Sequence, residues 1–253
     1  MGDVKLGSLQ RDWEELGSID PLWAILAHRG RQYGGWGLGE FMATGVRNVE
    51  NLMARAESLG LPLRRDRALD FGCGIGRLTR PLAFWFGEAV GVDISAPMIE
   101  QAMLVNAGVR NCSFVHNTRP DLSILDDASF DLAYSHIVLM HLPNQAVAES
   151  YIRELIRVLR PGGLLVFQIP ARIPLRRRLQ PRRRVYAALR VIGLSSLPLY
   201  RRFGLHPIRT IDLPEDRAVH TIIGAGGQVL AIDRSHLDQL AIDDRTYYVG
   251  RGG

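Results

Sequence analysis

The chain has 253 residues, a mass of 28.2 kDa and 47% hydrophobic residues, enough for one packed α/β core with an insertion and no disulfide support. Its two cysteines, Cys73 and Cys112, make no disulfide framework. No apolar run reaches the ~20 residues of a membrane span and the Met1 end has no signal-like run, so a soluble, cytoplasmic protein is expected. The net charge of +5 hides an asymmetry: thirteen Arg and no Asp or Glu lie between Leu155 and Ile211, which leaves the rest of the chain net acidic.

Along the chain, Leu9, Trp13 and Leu16 recur at helical spacing among Asp12, Glu14 and Glu15, and Pro21 opens a second short helix through Leu26. A glycine-rich hinge (Gly34, Gly35, Gly37, Gly39) precedes a helix over 40–59, which Gly60 stops. From Arg67 the period changes. Short apolar strands are predicted at 68–71, 89–93, 112–116, 130–135 and 164–169. Helices follow the first, second and fourth, running through Phe86, over 96–106 and over 145–159. This alternation implies a parallel sheet built from βαβ units. It breaks after Pro170 for some forty residues, which hold two short basic helices near 185–192 and 199–203. A helix over 215–223 and strands at 228–232 and 245–249 complete the pattern. The organisation expected is a helical cap (1–60), a Rossmann-like core (61–170), an Arg-rich lid insertion (171–211) and a C-terminal helix with strands that complete the core (212–253).

The first strand ends in Asp70-Phe71-Gly72-Cys73-Gly74-Ile75-Gly76. Glycines at 72, 74 and 76 allow a sharp turn and close approach to a ligand. Asp93, about twenty residues on, ends the second strand where a carboxylate can accept from two ribose hydroxyls. The spacing Gly-x-Gly-x-Gly differs from the Gly-x-Gly-x-x-Gly that seats a pyrophosphate. Asp70 would repel a diphosphate but suits a cationic tail. A nucleoside with such a tail is S-adenosylmethionine (SAM).

With these residues in view, the stretch Leu69–Thr79 resembles the first motif of class I SAM-dependent methyltransferases, and Gly91-Val92-Asp93-Ile94-Ser95 resembles their second-strand motif. Ser129–Leu132 and Arg157–Gly163 resemble the fourth- and fifth-strand motifs. The resemblance covers roughly residues 67–170. It implies a seven-stranded, mostly parallel sheet with helices on both faces and the last strand antiparallel. It also implies SAM as methyl donor, S-adenosylhomocysteine (SAH) as product, and no metal. The cofactor site would take in Asp70, Phe71, Gly72, Cys73 and Gly74 of the loop, then Asp93, Ile94, Ser95 and Met98, the last over the adenine. Ser135 and His136 would follow the fourth strand. Where family members often carry Asp after the third strand, this chain has Asn117, or Thr118 if the alignment slips by one. The amide oxygen of Asn117 could accept from the adenine amine without charge.

His136 ends the fourth predicted strand and His141 follows five residues later. Either is a candidate general base for a hydroxyl acceptor, since an ordinary imidazole titrates near 6.5. Bracing a loop and lining the pocket are the plainer alternatives. Cys73 reads as a packed small residue. The clusters Arg176–Arg178 and Arg182–Arg184 have three open readings: a solvated face, recognition of an anionic acceptor, or contact with an acidic membrane surface or nucleic acid. A GC-rich genome would favour Arg over Lys, so that bias alone carries nothing. Trp13, Trp23, Tyr33 and Trp36 read as an aromatic cover or as ordinary packing of the cap.

The place where enzymes of planar amines carry an Asn/Asp-Pro-Pro-Tyr/Phe signature reads Ser135-His136-Ile137-Val138, which weighs against nucleic-acid bases as acceptors. The expected activity is methyl transfer to a small molecule, a hydroxyl of a secondary metabolite, lipid-linked compound or carbohydrate. An RNA methyltransferase using the Arg-rich insertion and a non-catalytic SAM-binding partner or sensor are the alternatives. Oligomeric state is open.

Overall fold

A computed structural model describes residues 3–28, 30–237 and 242–252. The N-terminal cap comprises α1 (Asp3–Ile19), α2 (Pro21–Ile25) and α3 (Leu38–Ser58). α1 runs beyond the predicted pattern around Leu9–Leu16 at both ends, while α3 matches the predicted 40–59 to within two residues. Along α3 the buried positions are Phe41, Gly45, Val49, Leu52, Met53 and Ala56, one face at helical period, and Gly60 (φ +70°) ends it as a left-handed stop. Asp20 accepts the Trp23 N–H and caps α2.

The core runs β1 (Arg67–Phe71), α4 (Thr79–Leu82), β2 (Glu88–Asp93), α5 (Ala96–Val105), β3 (Cys112–His116), β4 (Phe130–Ser135), α6 (Gln145–Arg157) and β5 (Leu159–Arg172). After it come α7 (Leu175–Leu179), α8 (Pro181–Val191), α9 (Ser196–Phe203), α10 (Glu215–Gly224), β6 (Gly227–Leu237) and β7 (Ile242–Arg251). The seven strands form one sheet in the order β3-β2-β1-β4-β5-β7-β6. β1 to β5 pair in parallel, while β7 runs antiparallel to both β5 and β6. All six residues of β4 are buried, as a central strand covered on both faces requires.

Several boundaries differ from the sequence expectation. The helix expected through Phe86 stops at Leu82; beyond it the Asn111 amide donates to the carbonyls of Ala83 and Phe86 and holds them in turns. β5 starts at Leu159, ahead of the Pro161-Gly162-Gly163 turn, because Leu159 pairs with Phe130 before the register shifts. β6 and β7 are about twice as long as predicted, since they pair with each other along their length. The additional helix α7 is five residues long and buries none of them; a single Leu175–Leu179 pair is too short a pattern to announce it.

The strand order reverses between β1 and β4, and the cleft of this fold opens there, outside the carboxyl ends of β1, β2 and β4.

Candidate active site

The chain leaves β1 through a tight loop. The N–H groups of Gly72 and Cys73 both donate to the Val92 carbonyl of β2. Gly72 holds φ +78°, and a Cβ there would sit 2.4 Å from a methyl of Val138, so only glycine fits. This turn brings the Gly74 N–H to Asp93, whose Oδ2 accepts it at 2.9 Å while Oδ1 accepts the Ser95 N–H at 2.9 Å. Two backbone donors therefore lock the carboxylate, and each oxygen keeps a lone pair for a ligand hydroxyl. Burial raises the Asp93 pKa, and the donors at Ser95, Gly74 and Ile94 oppose that rise.

Asp70 lies beneath the loop rather than on the cleft wall. Its Oδ2 accepts from the Thr79 hydroxyl at 2.7 Å, whereas Oδ1 is buried without a partner. Burial pushes its pKa up to about 6 against the pull of Thr79 and Arg77. Two acids thus sit under and beside the loop, an electrostatic setting that favours a cation.

The cleft encloses about 800 Å³, its open mouth included. Of the residues expected to bind cofactor, Phe71, Gly72, Gly74, Asp93, Ile94 and Met98 line it, as do Asn117 and His136. Cys73, Ser95 and Ser135 are buried behind the wall, and Thr118 is exposed outside it. The Cys73 thiol pKa is driven up by burial and by Asp93 and Asp70, the opposite of a reactive thiolate. Asn117 is held by its own loop: its amide nitrogen donates to the Asp121 carbonyl and its oxygen accepts the Arg119 N–H. One lone pair of that oxygen stays available. The cleft also takes in residues the sequence did not single out: Leu6, Leu9 and Ile25 of the cap, Val92 of β2, Ile137, Val138 and Leu142 after β4, and Tyr151 of α6. The cap residues carry ordinary helix-face spacing and no sequence signal separates them from core. Ile137 holds φ +60°, a strained conformation for a β-branched residue that clusters at functional sites.

His136 and His141 both face the cleft, but their surroundings differ. Arg77, 3% exposed, donates through one nitrogen to the Thr44 hydroxyl at 3.2 Å and approaches His136 Nδ1 at 3.5 Å with another. Arginine only donates, and the Asn48 amide nitrogen stands 3.5 Å from the other ring nitrogen, Nε2, so donors face both nitrogens of the imidazole. Burial and the Arg77 charge lower the His136 pKa to about 3. His141 instead donates from Nδ1 to the Arg209 carbonyl at 2.6 Å, which fixes the tautomer and leaves the Nε2 lone pair available. Burial lowers its pKa, and the bond to Arg209 opposes this. Trp13 stands edge-on to the ring at 5.6 Å.

Arg209 belongs to the insertion, which is clamped onto α1 and the start of α2 by a row of acids. Asp12 pairs with Arg209 at 3.2 Å, Glu15 accepts the Tyr186 hydroxyl at 2.6 Å and pairs with Arg190, and Asp20 accepts the Tyr200 hydroxyl at 2.7 Å. Of the four cap aromatics only Trp13 reaches the cleft. Trp23 packs on Tyr200 and His206, Tyr33 on Tyr200, and the Trp36 indole donates to the Leu26 carbonyl. They are cap packing. Arg178 pairs with buried Asp212 and Arg183 donates to the Pro207 carbonyl, so these two arginines of the clusters are structural. The described residues contain no group of acids, histidines or cysteines able to hold a metal ion.

Residues 69–167 match the family model described as a methyltransferase domain. Over 155 residues, 61% of this chain, the sequence is 30% identical to the 2-methyl-6-phytyl-1,4-hydroquinone methyltransferase of Synechocystis, covering 47% of that enzyme. It is 34% identical over 127 residues to the malonyl-[acyl-carrier protein] O-methyltransferase of Enterobacter lignolyticus, covering 48% of this chain and 44% of that one. The chain thus spans less than half the length of these curated relatives. Among solved structures, magnesium protoporphyrin IX methyltransferase of Synechocystis with bound SAH superposes with a TM-score of 0.62 at 20% identity, covering 98% of this chain and all of that one. Fold, loop and family match agree: residues 69–167 match a methyltransferase domain, and the chain carries the fold of the class I SAM-dependent methyltransferases.

Proposed function

We propose that this chain transfers the methyl group of SAM to a hydroxyl of a small, uncharged, apolar acceptor. The residues present fit the cofactor. Asp93 would hold the ribose diol, Ile94 and Met98 the adenine faces, and Asn117 its amine edge. The backbone at Gly72 and Gly74, with Phe71 beside it, would hold the methionine portion over the field of Asp70. Bound there, SAM supplies a methyl group on a sulfonium that is a good leaving group. The protein's own contribution is alignment, worth up to ~7–11 kcal/mol of barrier.

The observation that carries the acceptor assignment is His141 Nδ1, held 2.6 Å from the Arg209 carbonyl on the wall of a cleft lined by Leu6, Leu9, Trp13, Val138 and Leu142. In that tautomer Nε2 takes the hydroxyl proton as the oxygen becomes nucleophilic. Among the described residues no Arg or Lys lines the cleft, which disfavours a carboxylate or phosphate acceptor. The similar proteins whose names include a hydroquinone and a porphyrin support an apolar acceptor.

Calorimetric titration of SAM and SAH tests the first half: wild type binds both, and Asp93→Ala weakens them at least about tenfold, the worth of a charge-assisted hydrogen bond. For the second half, SAH formation is followed with alkyl-substituted phenols and hydroquinones beside fatty carboxylates. Turnover of the carboxylates alone would overturn the acceptor assignment.

A further inference from the structure

Eight of the sixteen large exposed apolar side chains among the described residues fall between Leu175 and Phe203. α8 shows how they are arranged. Its inner face presents Tyr186 and Arg190 to Glu15 of α1. On the opposite face Arg184, Val185, Ala188, Val191 and Ile192 recur at helical period and are all exposed, Val191 at 87% and Ile192 at 73%. α7 repeats the motif with Leu175 and Leu179 one turn apart beside exposed Arg176, and α9 with Leu197, Arg201, Arg202 and Phe203. No acid interrupts the stretch from Leu155 to Ile211.

We propose that the outer face of α7–α9 docks on an anionic lipid bilayer, with the aliphatic stripe of α8 entering the headgroup region and the flanking arginines meeting lipid phosphates. Charge complementarity selects this occupant, and the aliphatic side chains select it over another polyanion. A helix lying in the interface needs an apolar stripe rimmed by cations. Nucleic acid rewards stacking platforms, and Phe203 is the one aromatic among the eight exposed apolar side chains. No described helix is long and apolar enough to cross a membrane, so the contact is peripheral. The inference goes beyond the proposed function and does not depend on the acceptor. The same helix grips α1, however, and Leu9 and Trp13 of α1 line the cleft, so the docked face lies one helix away from the acceptor wall.

Flotation with vesicles of phosphatidylcholine, alone and mixed with phosphatidylglycerol, reads the proposal without turnover. Wild type floats with the mixed vesicles and not with phosphatidylcholine alone, and added salt reduces it. Arg182→Ala/Arg184→Ala lowers partitioning about thirtyfold, at about fivefold per arginine. Val191→Ser/Ile192→Ser, which leaves the charge unchanged, lowers it at least about tenfold. All four side chains are exposed, and circular dichroism verifies that both variants fold. Absence of wild-type flotation at low salt overturns the proposal. So does flotation that ignores Val191→Ser/Ile192→Ser while single-stranded RNA is retained as tightly, which would assign the face to a polyanion.

Discussion

His141 and His136 stand five residues apart after the same strand yet meet opposite chemistry. Arg77 and Asn48 face both ring nitrogens of His136, and burial together with the Arg77 charge lowers its pKa to about 3, whereas the Arg209 carbonyl holds the proton of His141 on Nδ1 and leaves Nε2 to accept. A base must be neutral, so turnover is full above the His141 pKa and falls as pH drops through it. Burial places that value below the ordinary 6.5, which sets the acidic limb of kcat/KM. His141→Gln is expected to cost 10²-fold or more in kcat, the usual worth of a general base, and to abolish that limb. His136→Gln is expected to keep it. A limb that disappears in the His136 variant and persists in the His141 variant would reverse the assignment. Proximity in sequence made the two histidines equivalent candidates. Only the groups arriving from α3, the glycine loop and the insertion separate them.

Between elements, two of the contacts that join the cap to the rest can be tested directly. Gly45 of α3 lies against the loop that follows the glycine turn, where an added Cβ would stand 2.0 Å from the Arg77 carbonyl oxygen. Backbone cannot yield as a side-chain end can, so Gly45→Ala is expected to destabilise by about 1–3 kcal/mol, read as a lower urea midpoint. An unchanged midpoint would show that α3 does not press on the loop. The second contact is Glu15. Removing it leaves the buried Tyr186 hydroxyl without its acceptor and Arg190 without its partner, a loss of about 1–3 kcal/mol. Because the strain falls on one clamp, Glu15→Ala is expected to hasten proteolysis within 175–203 before it affects the sheet, and Glu15→Gln, which keeps an acceptor, to restore most resistance. Uniform cleavage across the chain would contradict a local clamp.

For the whole molecule, pH acts through groups that folding withholds from water. His206 packs beneath Trp23 in the insertion with Nδ1 buried and unpartnered, and burial lowers its pKa from 6.5 to about 4. The unfolded chain binds this proton more readily. Its contribution to stability is therefore complete above pH 6.5 and is lost as pH falls towards about 4. Chemical denaturation between pH 7 and 4.5 is expected to show a shallower decline for His206→Gln than for wild type. Parallel curves would place the sensitivity elsewhere, for example at His136.

The residues themselves determined the parallel sheet and its cofactor end. Short apolar strand runs, the glycines at 72, 74 and 76, and an acid twenty residues on are written in local sequence, and the structure joins the turn to the acid through the Gly74–Asp93 bond. Local chemistry of this kind is written in adjacent positions and can be read there. The acceptor wall is different. Leu6, Leu9 and Trp13 carry the same helical spacing as core residues, and their role follows from which helix lies over the cleft. Asp70 reads as a ligand contact but folds beneath the loop to Thr79. The clusters around Arg178 and Arg183 divide into structural and exposed members only when Asp212 and Pro207 arrive from distant segments. Long-range packing decided these points, because burial and lone-pair availability belong to the assembled surface and not to any stretch of chain.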